Sequence, residues 1–299
     1  MRDGRRPADS RRAPAYLGGV RLRSRLPPAA FALAFAATQV GAQGTPPPLV
    51  DSVAPRLESA PRMVPGDPAI RARDLGARTQ RYTLTAYREM DEIPVGRLVD
   101  EIRVDTIEGR PVLRRVLLLT RGTTQLVDST WTDLETLAPV AHRALQPTRQ
   151  LALTFTGRRV RGALTPQDLP PVPIDTLLPL LPFDSGNWDL LARSLPLAIG
   201  YAVRFPVYDL DAGLHQYHVV VTGMATLLGE PAWVLTLTLA RGRESVVWIG
   251  QQSREVLQVE TMIGANVLLQ QRILQTTAGA TATYSEGTAT NGRWRSPQR

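Results

Sequence analysis

The chain has 299 residues, enough for one large domain or two small ones, and 43% of them are hydrophobic, so a packed core fits within most of it. There is no cysteine, which excludes disulfides, thiolate metal sites, cysteine nucleophiles and an acylated lipoprotein cysteine. The formal charge of +8 is not the mark of a polyanion-binding surface, because eight arginines against two aspartates in residues 1–42 supply six of those charges.

Residues 1–42 read as a secretory signal with a long arginine-rich start. Its apolar core, Pro27 to Ala42, is too short to cross a bilayer about 30 Å thick as a comfortable helix. Small residues at Val40-Gly41-Ala42 suit cleavage near Ala42, so the expectation is an exported protein, periplasmic or extracellular, with no membrane span in the mature chain. Residues 43–78 are proline-rich without a sustained period and read as a disordered or extended tether, with room for a short helix from Ala69 to Leu75.

From Thr79 the pattern is that of short strands. Tyr82, Leu84 and Ala86 share one face, and Thr83 and Thr85 the other. Residues 96–122 read as a hairpin turning at Glu108-Gly109. TTQLVDSTWTD, LAPVAHRALQ and LALTFTGRRVRGALT follow as strands, and no helical pattern fills the gaps that parallel pairing would need. A second proline-rich passage, Gln167 to Pro182, leads into the one helical stretch. That stretch opens on the turn residues Asp184, Ser185, Gly186 and Asn187 and stops near Pro196, so a helical insertion is placed at about 175–197. After Gly200 come six more strands to about Leu274, with Leu235, Leu237 and Leu239 alternating against Thr236 and Thr238. The polar tail, 276–299, reads as disordered. The segments Asp128 to Val140 and Glu244 to Val259 echo each other, each a strand ending in a Trp (Trp131, Trp248), a polar turn and a second strand, which suggests a duplicated unit.

No catalytic pattern emerges. His215 and His218 are three apart on a strand and point to opposite faces, so they do not grip one metal, and His142 stands alone; a surface or cross-strand role is expected for each. Glu89, Asp91, Glu92, Asp100 and Glu101 are expected at solvated strand ends. Ser129, Ser185 and Ser194 lie in no nucleophile elbow, and there is no phosphate loop or dinucleotide fingerprint. The expectation is therefore a protein that is not an enzyme and has no metal, no cofactor and no nucleic-acid partner. The aromatic set is the more suggestive feature: Trp131, Trp188, Trp233 and Trp248, with Leu191 and Phe205, are the candidates to line a cavity, unless they fill the core instead.

The stretch DTLLPLLPFDSGNWDLLARSLPLAIGYAVRFPVYD, with YHVVVTGMATL, GEPAWVLTLTLA, VVWI and REVLQVE after it, resembles the bacterial domain-of-unknown-function family 3108. The matching positions are Asp189, Leu191, Arg193, Leu195 to Leu197 and Gly200, then Trp248-Ile249. The resemblance implies an exported envelope protein with a fold similar to the periplasmic lipoprotein carriers. That fold is mainly β, a strongly curved antiparallel sheet (an unclosed half-barrel) over a short helical lid. For residues 79–275 the expectation is one such domain, with about eleven strands of ordinary length. Three functions are carried forward: a non-enzymatic binding module for an apolar or amphiphilic ligand such as a lipid; a structural or interaction protein with a self-filled concavity; and, less favoured, a hydrolase.

Overall fold

The computed structural model describes residues 59–88, 91–210, 213–239, 244–263 and 266–273. The expected signal (1–42), residues 43–58 of the tether and the tail (276–299) lie outside the described residues.

Fifteen strands form a single unclosed sheet. In chain order they are β1 (Arg78–Arg88), β2 (Asp91–Ile107), β3 (Arg110–Arg121), β4 (Thr124–Asp133), β5 (Pro139–Gln146), β6 (Arg149–Thr156), β7 (Arg159–Pro166) and β8 (Val172–Leu177). Then follow β9 (Phe183–Asp184), β10 (Ala202–Asp209), β11 (Gly213–Leu227), β12 (Glu230–Thr238), β13 (Glu244–Gly250), β14 (Val256–Ile263) and β15 (Asn266–Arg272). Sequence neighbours pair throughout, except that β8 and β9 sit at the two ends of the sheet and β1 pairs with β15 in its middle. All pairs are antiparallel apart from the short β9–β10 contact.

The fold class matches the expectation, while the strand count is higher. LALTFTGRRVRGALT is two strands, because Gly157 takes φ 57° and turns the chain between β6 and β7. The proline-rich passage holds β8, where Pro173 is tolerated because the far edge of that strand has no partner among the described strands. The helical insertion is shorter than expected. It is a 3-10 turn, Ser185–Asn187, running into one α-helix, α1 (Trp188–Ser194). Asp184 starts it by accepting the Gly186 N–H at 2.7 Å. Pro196 ends it by forcing Leu195 to an extended ψ of 153°.

The duplication suggested by the two tryptophans is visible in detail. Each follows the same course: a left-handed two-residue turn (Glu108-Gly109; Leu228-Gly229), a Gly-X-Pro strand start, and a register slip just after the Trp of the next strand. The turn after that strand is also the same. Asp133 N–H donates to Ala138 O and Leu137 N–H to Asp133 O; Gly250 N–H donates to Glu255 O and Arg254 N–H to Gly250 O. Leu137 and Arg254 both hold positive φ, at 56° and 54°. The unit β2–β5 thus corresponds to β11–β14.

The buried face of the sheet curls around α1. Leu190, Leu191 and Ala192 are each 1% exposed and Leu195 is 0%. On one side they meet the sheet; on the other lies the 3-10 turn Ala72–Leu75, with Ile70, Ala72 and Leu75 buried. Residues 60–75, assigned at the sequence level to the tether, are therefore packed: Met63 N–H donates to Arg204 O, Arg204 N–H to Pro61 O, and Arg71 N–H to Ser194 O. Farther along, Phe155 of β6 meets Tyr208 of β10 edge-on at 6.0 Å, so side chains bring together parts of the sheet that hydrogen bonds do not.

Candidate functional site

Along β2 to β5 the buried face should be apolar, since alternate residues of each strand point into the core. Two adjacent cross-strand rows break that rule. The first runs Ile102, Arg115, Thr130, His142, each directly opposite the next. The second runs Asp100, Leu117, Asp128, Ala144. Asp100 is 1% exposed, Arg115 5%, Asp128 6% and His142 9%.

The chain from Asp184 to Asp189 lies across the first row and bonds to each polar residue in it. Arg115 grips the Asp189 carboxylate through both terminal nitrogens, at 2.5 and 2.6 Å, and donates to Gly186 O at 3.0 Å. Its other edge, Nε and Nη2, holds Asp100 at 2.8 Å twice. Thr130 Oγ1 donates to Asn187 Oδ1 at 2.8 Å. His142 Nδ1 faces Asp184 at 2.9 Å and Nε2 faces Asp128 at 3.1 Å. Arg115 therefore has one carboxylate from β2 and one from α1, and His142 has one from β4 and one from the end of β9, just before the helical turn.

The electrostatics follow from that geometry. Burial opposes the charge on His142, but Asp184 and Asp128 outweigh it and raise its pKa well above the usual imidazole value. Carboxylate oxygens facing both ring nitrogens favour the imidazolium, in which both are donors. Arg115 likewise remains charged, with burial outweighed by Asp100 and Asp189. At the far end of the helix, Arg193, 1% exposed, donates Nε–H to Arg254 O at 2.8 Å, and Arg254 donates to Leu195 O. The segment is thus held at its start by the first repeat and at its end by the turn of the second. With both imidazole nitrogens facing carboxylates, the arrangement fastens one part of the chain to another.

Several sequence-level placements are corrected here. Asp100 is a buried ion-pair partner, not a solvated strand end; of the two roles expected for His142 the surface one is excluded and the cross-strand one holds, since the buried ring meets Asp128 of the neighbouring strand. Asp91 and Glu92 are exposed and Glu101 pairs with Arg103, whereas Glu89 lies outside the described residues. Ser194 is fully buried and donates to Leu191 O at 2.7 Å. His215 and His218 both lie on β11. The missed signal was parity: Asp100 alternates with Leu98 and Ile102, and Arg115 shares its face with Leu113 and Leu119, which are core positions.

The six aromatic and apolar candidates do not share one surface. Leu191 and Phe205 are buried, with Phe205 edge-on to Phe183 at 5.9 Å. Trp131 lies between the buried Thr130 and Thr132 and so faces outward, flanked by Arg114 at 5.8 Å and Arg143 at 5.6 Å. Trp248, between Val247 and Ile249, also faces outward, while Trp233 is opposite Ile249 near a strand end. Trp188 is only partly buried at the head of α1. Trp188→Ala should accordingly cost about 1–2 kcal/mol, read from the denaturation midpoint; a loss of about 3–5 kcal/mol would mean that the indole is core.

Residues 81–270 match the profile of a family described as a protein of unknown function, DUF3108. The chain belongs to the DUF3108 family. Curated proteins gave no match. The matched span covers both repeats of this DUF3108 protein and the whole charged seam, from Asp100 to Asp189. Among the described residues no helix is long and apolar enough to cross a membrane, and no group of three His, Asp or Glu side chains is placed to hold a metal ion.

Proposed function

We propose that this DUF3108 protein is an exported, non-enzymatic binding module of the cell envelope, and that its ligand site is the inner sheet face on which residues 183–197 lie. The leading apolar stretch with small residues at 40–42 supports export. The observation that carries the binding reading is the contrast between the repeats. Arg115, Thr130 and His142 correspond to Leu235, Val247 and Val259, and those three hold the second repeat together without a charge. Buried ion pairs rarely surpass well-packed apolar residues in stability, so a seam of them suits a fastening that can be undone. The segment is then a lid fixed by ionic contacts, and the ligand takes the place of its apolar residues.

A specific observation favours the second reading, a self-filled concavity: Leu190, Leu191 and Leu195 already occupy the space under the sheet. Two surface hollows, about 550 and 490 Å³, lie elsewhere, one around Tyr87, Glu92 and Arg97 and one around Gln146 and Leu169. Lipid extraction and mass spectrometry of the purified exported protein, with titration of an apolar fluorescent probe, separates the two. Binding predicts co-purified amphiphile, or probe uptake that rises when Asp189→Asn loosens the lid. Absence of both in a folded Asp189→Asn protein would leave the self-filled reading.

A further inference from the structure

The binding reading leaves the ligand's chemistry open, and the segment that now fills the site indicates it. The segment is itself amphiphilic: Asp184 and Asp189 at one end lie on the cations of the first repeat, and Leu190, Leu191, Leu195 and Leu197 follow, all buried. It runs toward the second repeat, where Arg254 holds the Leu195 carbonyl. The sheet beneath is divided in the same way. The row in the first repeat is Ile102, Arg115, Thr130, His142; its counterpart in the second is Val221, Leu235, Val247, Val259. Those four second-repeat residues are between 1% and 5% exposed.

The two partners of each cation are not equivalent. Asp100 and Asp128 lie on β2 and β4 and stay with the sheet, whereas Asp189 lies on α1 and leaves with it; Asp184, at the end of β9, leaves only if that two-residue strand comes off β10. Departure of the segment therefore frees the Nη1/Nη2 edge of Arg115, now filled by two carboxylate oxygens. A planar guanidinium edge of this kind pairs with a carboxylate or phosphate and poorly with a neutral ester. An apolar ligand without an acidic group would leave that edge buried and unpaired, at a cost that outweighs much of its burial.

Resting on the binding reading above, we propose that the ligand is an acidic amphiphile: a carboxylate or phosphate head taken by Arg115 in place of Asp189, with an aliphatic tail along the apolar row of the second repeat. Asp189 is then an internal competitor for the head group.

The test uses the full mature chain with four probes: cis-parinaric acid, its methyl ester, inorganic phosphate and a pyrene-labelled phosphatidylglycerol. Parinaric acid should bind Asp189→Asn at least tenfold more tightly than wild type, and at least tenfold more tightly than the ester binds the same variant; each tenfold step is about 1.4 kcal/mol. Arg115→Lys, which keeps the charge and loses the paired donors, should weaken the acid and leave the ester unchanged. Circular dichroism confirms that the variants are folded; if Arg115→Lys is not, the acid-to-ester ratio on Asp189→Asn decides alone. Pyrene-labelled phosphatidylglycerol delivered from phosphatidylcholine vesicles distinguishes the sources. Tighter binding than parinaric acid assigns a phosphate head and weaker binding a carboxylate, and either supports the proposal. Acid and ester bound alike would overturn the acidic head while leaving the binding module intact. Inorganic phosphate displacing the acid at equal concentration would reduce the site to one for a small anion. No uptake of either chain-bearing probe by a folded variant would remove the binding reading, and this inference with it.

Discussion

Replacing Arg115 with Met should destabilise the domain by about 3–5 kcal/mol, the usual cost of removing one partner from a buried ion network. Arg115 is 5% exposed and holds Asp100 and Asp189 by four charged contacts of 2.5–2.8 Å; without it, two carboxylates face each other in the core. The second repeat supplies the control. Arg115 and Asp100 correspond there to the apolar residues Leu235 and Val219. The triple substitution Asp100→Val, Arg115→Leu, Asp189→Leu removes every charge of that cluster together, and should recover most of the loss or exceed the wild type. Urea denaturation of the three proteins checks both statements. A single Arg115→Met variant within about 0.5 kcal/mol of wild type, in the range of a surface change, would show that the pairs are not formed in solution.

The second large effect is expected at His142, and it depends on pH. Its pKa in the folded protein is raised, because Asp184 and Asp128 together outweigh burial, so folding binds a proton that the unfolded chain holds less tightly. The contribution is fully present below the unfolded value of about 6.5 and is lost as pH rises through the folded value. Wild-type stability should therefore fall on going alkaline from about pH 6.5. His142→Gln removes the imidazolium between two buried carboxylates; it should be about 3–5 kcal/mol less stable at pH 6 and should lose that alkaline slope. Denaturation curves from pH 6 to pH 9 read both quantities. A wild-type profile that is flat over this range, or one that His142→Gln shares, would mean that the ring is neutral in the folded state.

Much of the fold was legible because strand signals are local. Alternation at Leu235 and Leu237 and the turn at Glu108-Gly109 are decided by residues a few positions apart, and the structure has both, although β12 ends at Thr238 and leaves Leu239 outside it. The boundary at Pro196 was legible for the same reason. Gly157 was misjudged because a glycine inside a strand-like stretch fits a bulge as well as a turn, and only the pairing of β6 with β7 decides between them. The seam was not legible. Asp100, Arg115, Asp128 and Asp189 occur in four separate segments, and only the curl of the sheet puts Asp189 against Arg115, 74 residues apart in sequence. Even so, one clue was present in each strand, a charged residue at core parity. The family resemblance had already picked out Asp189 and Arg193, though not the residues they meet.

The pairing of β1 with β15 in the middle of the sheet sets an order of assembly. Eight consecutive strands can zip up as local hairpins while the chain is still being made, and so can the strands of the second arm. Their junction cannot: Thr83 waits for Gln271, 188 residues later, before its hydroxyl meets that carbonyl. Until then β1 presents an open row of amides, the kind of edge on which chains aggregate. Such distant contacts also slow folding, since the entropy of closing the long loop is lost before any bond rewards it. Which two strands meet at the centre of the sheet thus decides how long that edge stays open: until the last strand of the chain arrives.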